Sequence, residues 1–389
     1  MSSKLKLTLL GLFLLQIGVF TWSYFGKKQK DQQYYETFGK YLDNPNEVKS
    51  LDFSGLNLKK LPIDITKFKN LTSLNLSNNR LEKIPFEIYS LSKLKQIDLS
   101  YNRIEEVEFE NHINIERINL SHNQIEYVDY HPCSVGCLAA LQTIDLSHNQ
   151  LDECPTFNSS SHVDTILLSN NQLNSFYNLH MSLPKTMDYL DVSSNEFEGV
   201  DNDLFEFIGF DYDELTTLLN KCTSINLSNN FFEYFPYEIF RSEKVSKITM
   251  QNCRYNETDN EFQYFLADNN LTYLDLSNTV GFLDNIPFIE LKQLEILKLE
   301  NTQFDNLSIR LYNLKKLYLK DIIVENSFEV VCPKLKYLEI DYNYISWLPD
   351  ETLQQIPNLK TIVITNHQPD ENLINRLNDF YPNVTIILK

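Results

Sequence analysis

From about Val48 onward the chain repeats one phrase, Leu-x-x-Leu-x-Leu-x-x-Asn-x-Leu, roughly fourteen times at a spacing near 23 residues. It reads LTSLNLSNNRL at residues 71–81, LKQIDLSYNRI at 94–104, LQTIDLSHNQL at 141–151 and LKYLEIDYNYI at 335–345. The first, fourth and sixth positions point inward with the period of a strand, while the residues between them point out. Each coil then offers one short strand, and stacked coils build a parallel sheet whose strands lie about 4.8 Å apart. A chain that buries its core between successive coils grows by adding coils, so it stays one elongated domain at a length where globular chains divide. The expected architecture is α/β: a horseshoe solenoid of about fourteen coils with its parallel sheet on the concave face.

The ninth-position Asn turns inward after the strand, where its amide can satisfy buried backbone groups. This ladder runs through Asn79, Asn102, Asn123, Asn149, Asn171, Asn195 and Asn230, then gives way to Cys253, Thr279, Thr302 and Ile322 before Asn343 resumes it. The chain therefore has a regular half and a degenerate half. Cys and Thr retain a small donor but Ile322 does not, so the hydrogen bonding is expected to change near it. Both ends carry caps: residues 31–47 place Tyr34, Tyr35, Phe38, Tyr41 and Leu42 at helical spacing, and residues 365–389 contain an amphipathic helix, ENLINRLNDF, and a closing strand, VTIIL. The solenoid proper occupies residues 48–389.

Residues 1–30 have a different character. Lys4 and Lys6 precede an apolar stretch from Leu7 to Phe25, and Lys27, Lys28 and Lys30 come after it. As a helix the stretch is about 28 Å long, close to the roughly 30 Å hydrocarbon core of a bilayer. It lacks a small-residue cleavage site, and Trp22, Tyr24 and Phe25 resemble an interfacial aromatic belt, so it reads as an uncleaved single-pass anchor, with a cleaved signal as the alternative. Lysines flank both ends almost equally, so charge does not set the orientation; export of the repeats is the favoured reading and a cytoplasmic placement the alternative.

The chain holds 34 Lys and Arg against 53 Asp and Glu, a formal net charge of −19. A surface of that sign repels phosphate backbones, which argues against nucleic acid as a ligand, although acidity also simply keeps a long solenoid soluble. Of six cysteines, Cys133 and Cys137 lie in an enlarged connection, YHPCSVGCLAA, where they are free thiols, a disulfide, or with His131 part of a metal site; the spacing is not that of a zinc knuckle. Cys222 and Cys253 fall on inward positions of the phrase. Asn158, Asn256, Asn306 and Asn383 begin Asn-x-Ser/Thr triplets, but the repeat wording creates such triplets by itself. Nine glycines with no G-x-G-x-x-G, no nucleophile paired with a base and no metal set leave no sign of catalysis or of a cofactor.

These phrases, together with LEKIPFEIYSLSKL at 81–94 and NLKKLPIDITKFKNL at 57–71, resemble the leucine-rich-repeat superfamily over about nine-tenths of the chain. The resemblance is to the 23-residue class with an Ile-Pro or Leu-Pro step seen in bacterial and intracellular members. The cysteine-rich caps of animal extracellular members are absent. What the resemblance implies is binding of a protein partner on the concave sheet, without naming it.

On that face the second, third, fifth, seventh and eighth positions are expected to be exposed. In the regular half they hold a repeated stripe, Asp52, Asn75, Asp98, Asn119, Asp145 and Asp191 at the fifth and Ser54, Ser77, Ser100, Ser121, Ser147 and Ser193 at the seventh, which reads as repeat wording. The degenerate half holds instead Tyr273, Ile296, Lys298, Glu300, Lys316, Tyr318, Lys320, Tyr337, Glu339, Asp341 and Tyr342, a mixture of aromatics and both charge signs typical of an interface. A second candidate is the long connection GVDNDLFEFIGFDYDEL, with Phe207, Phe210 and Tyr212, read either as a binding loop or as a covering helix; its acids lack the register of a calcium loop. Tyr101, His122 and His148 share the eighth position on successive coils, where two stacked histidines suit a pH response or, with a third ligand, a metal.

Overall fold

The computed structural model describes residues 39, 41–61, 63–108, 114–128, 140–157, 162–197, 214–234, 236–257, 269–280, 283, 286, 288–366 and 371–389. The apolar stretch 7–25, the Cys133/Cys137 connection and Phe207, Phe210 and Tyr212 all lie outside them. Among the described residues no helix is long and apolar enough to cross a membrane.

Fifteen strands form a single parallel sheet in chain order, from Ser50–Asp52 through Tyr273–Asp275, Ile296–Lys298, Lys316–Leu319, Tyr337–Asp341 and Thr361–Thr365 to Thr385–Leu388. Register is one coil per step, with Leu74 opposite Ile97, Leu274 opposite Leu297 and Leu317 opposite Leu338. The first, fourth and sixth positions bury completely: Leu71, Leu74 and Leu76, then Leu294, Leu297 and Leu299, are nearly inaccessible to solvent. A row of phenylalanines crosses coils in the same core, with Phe176 stacked on Phe197 at 4.4 Å between ring centroids. Of the N-terminal cap segment only residues 39 and 41–47 are described, and there Leu42 packs against the core. The C-terminal helix Glu371–Phe380 buries Leu373 and Leu377, and the strand Thr385–Leu388 comes after it.

The turns out of the main-sheet strands, other than the one after Tyr337–Asp341, pass through the left-handed region. Asn78, Tyr101, His122, His148, Asn170, Ser194, Asn229, Asn252, Asn278, Asn301 and Asp321 all have φ between 51° and 58°. Asn tolerates that conformation best, and Tyr or His there needs the coil to hold it.

The Asn ladder works by hydrogen bonding across coils. Asn102 Nδ2 donates to Leu76 O at 3.0 Å in the preceding coil and to Leu99 O at 2.9 Å in its own, while its Oδ1 accepts from Leu81 N at 3.0 Å. Where the Asn is lost, smaller groups make some of these bonds. Thr279 Oγ1 donates to Leu276 O at 2.6 Å and Met250 O at 3.2 Å, and Cys253 Sγ lies 3.4 Å from Leu227 O. The rest is taken over by the backbone, because Gln303–Arg310 and Ile323–Val331 pair over seven positions as a two-stranded parallel sheet, where the regular half pairs two, Glu106–Val107 with Tyr127–Val128. Ile322 therefore needs no polar side chain; it is buried, and Ile323 N bonds to Thr302 O at 2.9 Å.

Two expectations need correcting. Asn343 does not resume the ladder: it is exposed on the helix Tyr342–Trp347, which replaces the usual turn. The seventh-position serines are not on the open face either. Ser100, Ser121, Ser147 and Ser193 are buried, and Ser100 N and Oγ both donate to Asp98 Oδ1, at 2.9 and 2.6 Å. The same pairing joins Ser147 to Asp145 and Ser193 to Asp191, so the Asp/Ser stripe is a turn device repeated coil after coil.

Candidate partner-binding surface

The sheet brings most of the degenerate-half candidates side by side. Position three of successive coils holds Tyr273, Ile296, Lys316 and Tyr337, and position five holds Asp275, Lys298, Tyr318 and Glu339. The side chains on these two columns contact one another diagonally. Lys298 Nζ sits 5.6 Å from the centroid of the Tyr273 ring and 5.5 Å from that of Tyr318, and Tyr318 lies 5.0 Å from Tyr337. Such cation–ring contacts contribute about 0.5–1 kcal/mol each at partly exposed sites. The product is a continuous aromatic strip, half-buried at Tyr273, Tyr318 and Tyr337, with Lys316 and Lys320 exposed beside it.

Beneath the strip is a carboxylate that sequence pattern did not single out. Asp275 is fully buried and accepts from Tyr273 Oη at 3.0 Å, Gln251 Nε2 at 2.7 Å, Ser277 N at 3.1 Å and Lys298 Nζ at 3.2 Å. Burial works against the Lys298 charge, but the Tyr273 hydroxyl and the Asp275 carboxylate together outweigh it and raise its pKa. Tyr273, Tyr318 and Tyr337 are all held above the usual phenol range, in each case chiefly by burial. Glu300 is likewise raised, first by burial and then by the nearby Glu339 charge.

Not every predicted residue is available to a partner. Glu339 is buried, accepts from Tyr337 Oη at 2.7 Å and meets Lys389 Nζ at 3.3 Å. Asp341 is also buried: it accepts from Asp321 N at 2.8 Å, from Asn366 Nδ2 at 3.0 Å and from Thr365 Oγ1. These bonds hold the last turns together where the Asn ladder is missing, so Asp341 is a structural residue. Tyr342 packs against the core from the short helix. From Tyr273 toward the middle of the sheet the strip continues into an open groove lined by Ser224, Lys247, Thr249 and Ile296. The signal for that extension was Lys247, a third-position lysine one coil before Tyr273.

The other candidates stand apart from this surface. Tyr101, His122 and His148 stack in a column with successive ring centroids 4.1 Å apart. Burial, and next the His148 charge, lower the His122 pKa. Among the described residues no cluster of three or more His, Cys, Asp or Glu could hold a metal ion. Cys154, Cys222, Cys253 and Cys332 are buried free thiols; burial pushes Cys222, Cys253 and Cys332 each up to about 12 and Cys154 higher still.

Comparison with known proteins agrees with this architecture. The family described as Leucine Rich repeats (2 copies) matches residues 69–111. No curated protein matches the chain by sequence. Among solved structures, a leucine-rich-repeat protein of Leptospira interrogans aligns at 20% identity and TM-score 0.51, covering 90% of this chain and 97% of that one. An internalin of Listeria monocytogenes aligns at 14% identity and TM-score 0.54, with 89% and 88% coverage. TLR13, solved as a complex with ssRNA13, aligns at 17% identity and TM-score 0.60, covering 88% of this chain and 51% of that one. The recurring phrase, the fifteen-stranded parallel sheet and these likenesses give the chain the leucine-rich-repeat fold, and residues 69–111 match the family itself.

Proposed function

We propose that this chain is a non-catalytic recognition module that binds a protein partner on its concave sheet through the strip Tyr273–Lys298–Tyr318–Tyr337, flanked by Lys316 and Lys320. The observation that carries this reading is the concentration of half-buried aromatics in mutual contact over a satisfied buried ion pair, whereas in the regular half Tyr189 holds the same third position bonded to Asp191. Aromatic and cationic side chains held rigid in this way lose little entropy on binding and form the usual centre of an interface. A photo-crosslinking residue at Tyr318 is expected to capture the partner, and Tyr337→Ala to abolish the capture. Crosslinks from the exposed Trp347 or Phe86 with none from Tyr318 would place the binding surface elsewhere.

The reading further includes tethering through residues 7–25 and export of the repeats, supported by the length of the apolar stretch and its aromatic end. A repeat domain facing the cytoplasm as a signalling scaffold is the alternative. Because the four described thiols are buried and unreactive, a membrane-impermeant maleimide added to intact cells reports on Cys133 and Cys137. Labelling before or after mild reduction supports export, and protection until the membrane is opened supports the scaffold.

A further inference from the structure

The second position of the phrase forms a column of its own just before the strands. Neighbours along it are joined by backbone bonds: Glu116 N to Lys95 O at 2.8 Å, Lys315 N to Glu295 O at 2.8 Å, and Lys336 N to Lys315 O and Lys360 N to Lys336 O at 2.9 Å each. Side chains one step apart on this column reach one another, because Lys95 pairs with Glu116, and Lys315 with Glu295, both at 2.5 Å. After Lys315, however, the column continues with Lys336 and then Lys360. Three ammonium groups are thus aligned on adjacent strands, whereas elsewhere the column holds the Lys95–Glu116 pair, neutral residues such as Thr223, Ser246 and Thr272, and one pair of like charges, Asp164 beside Asp188. All three are exposed, and Lys336 and Lys360 make no ion pair among the described residues. Lys316 and Tyr337 lie immediately alongside.

This arrangement is costly for the free protein, since like charges directly across strands repel. It also runs against the composition of a chain with net charge −19. We infer that the Lys315–Lys336–Lys360 column is the docking strip for an acidic, extended segment of the partner protein. The inference rests on the sheet face being the binding surface. From Lys315 to Lys360 the column spans about 10 Å, the length of roughly three steps of extended chain, so a run of about four residues rich in Asp or Glu covers it. Such a run would pair with all three ammonium groups, and its flanking side chains would lie against Tyr318 and Tyr337. Beyond the screening length, about 8 Å at physiological salt, the overall negative field is largely screened, so an acidic segment in contact with the column is governed by the lysines within its reach.

The test uses the full chain with a fluorescein-labelled oligoglutamate peptide, its oligoglutamine counterpart, a heparin fragment and a single-stranded RNA. Oligoglutamate is expected to bind and oligoglutamine not. Lys336→Glu should weaken oligoglutamate binding by about tenfold or more, roughly 1.4 kcal/mol, while Lys83→Glu, outside the column, leaves it unchanged. The same Lys336→Glu variant should melt at a higher temperature, because it replaces two repulsions by two pairs of the Lys95–Glu116 kind, so lost binding cannot be ascribed to unfolding. Failure of oligoglutamate to bind, equal binding to Lys336→Glu, or binding of heparin or RNA alone overturns the inference. If the Tyr318 crosslink survives that failure, the sheet face remains the binding surface and only the acidic segment is wrong; loss of both removes both.

Discussion

The coils before Asn230 and those after it solve the same problem by different means. In the first group one buried amide per coil serves two neighbouring coils at once, as Asn102 does for Leu76, Leu81 and Leu99. In the second group a hydroxyl or thiol supplies only a donor, and direct pairing of Gln303–Arg310 with Ile323–Val331 supplies the rest. The first solution fixes the identity of one side chain in every coil and goes with the recurrent Asp/Ser turn device. The second releases both constraints, and there the face carries tyrosines and lysines. Freedom of the surface and loss of the ladder coincide where the backbone pairing beside the main sheet is long, seven positions against the two of Glu106–Val107 with Tyr127–Val128.

That comparison can be broken by experiment. Asn102→Ala removes three strong bonds to buried backbone groups and is expected to destabilise by about 3–5 kcal/mol, whereas Thr279→Val should cost only about 1–2 kcal/mol. Urea unfolding monitored by circular dichroism measures both, and equal losses would mean that the two halves do not differ as described. Asp275→Ala, which leaves Lys298 and Gln251 without their shared acceptor, is expected to cost about 2–4 kcal/mol despite lying within the degenerate half. A neutral result in the same assay would make the carboxylate incidental to the aromatic strip.

The smallest effect concerns pH. His122 has its pKa lowered below 6.5 by burial and by His148, so the unfolded chain binds the proton more readily. Its contribution to stability is therefore present above pH 6.5 and is lost as pH falls through that value toward the folded pKa. Melting temperatures at about pH 7.5 and about pH 5.5 should differ more for the natural chain than for His148→Asn, which removes the second charge. An unchanged difference would leave burial as the only cause.

The strands, their register and their buried positions were legible in the sequence because one short phrase dictates all three. Asp341 was not. Its seventh position was expected to be exposed; like Ser100 and Ser147 it is buried, and where the helix at Tyr342 begins Thr365 and Asn366 bond to it. Asn343 misled too, since the pattern fits the ladder while the helix removes it. Asp275 was hidden by its likeness to Asp98 and Asp145, whose neighbours are serines rather than a lysine. The lysine column was readable: LKK, LKY and LKT open three successive phrases. Its meaning depended on knowing that second-position side chains reach one another, which the Lys95–Glu116 and Glu295–Lys315 pairs establish.

The two-stranded pairing of Gln303–Arg310 with Ile323–Val331 has a mechanical corollary. Interstrand bonds run along the solenoid axis, so a pull on the two ends stretches them directly. Coils whose second ladder is long, as the seven paired positions of Gln303–Arg310 with Ile323–Val331, share that load more evenly than coils whose second ladder is short, as the two positions of Glu106–Val107 with Tyr127–Val128. Under tension the molecule would part between its early coils first and keep the tyrosine and lysine surface folded longest.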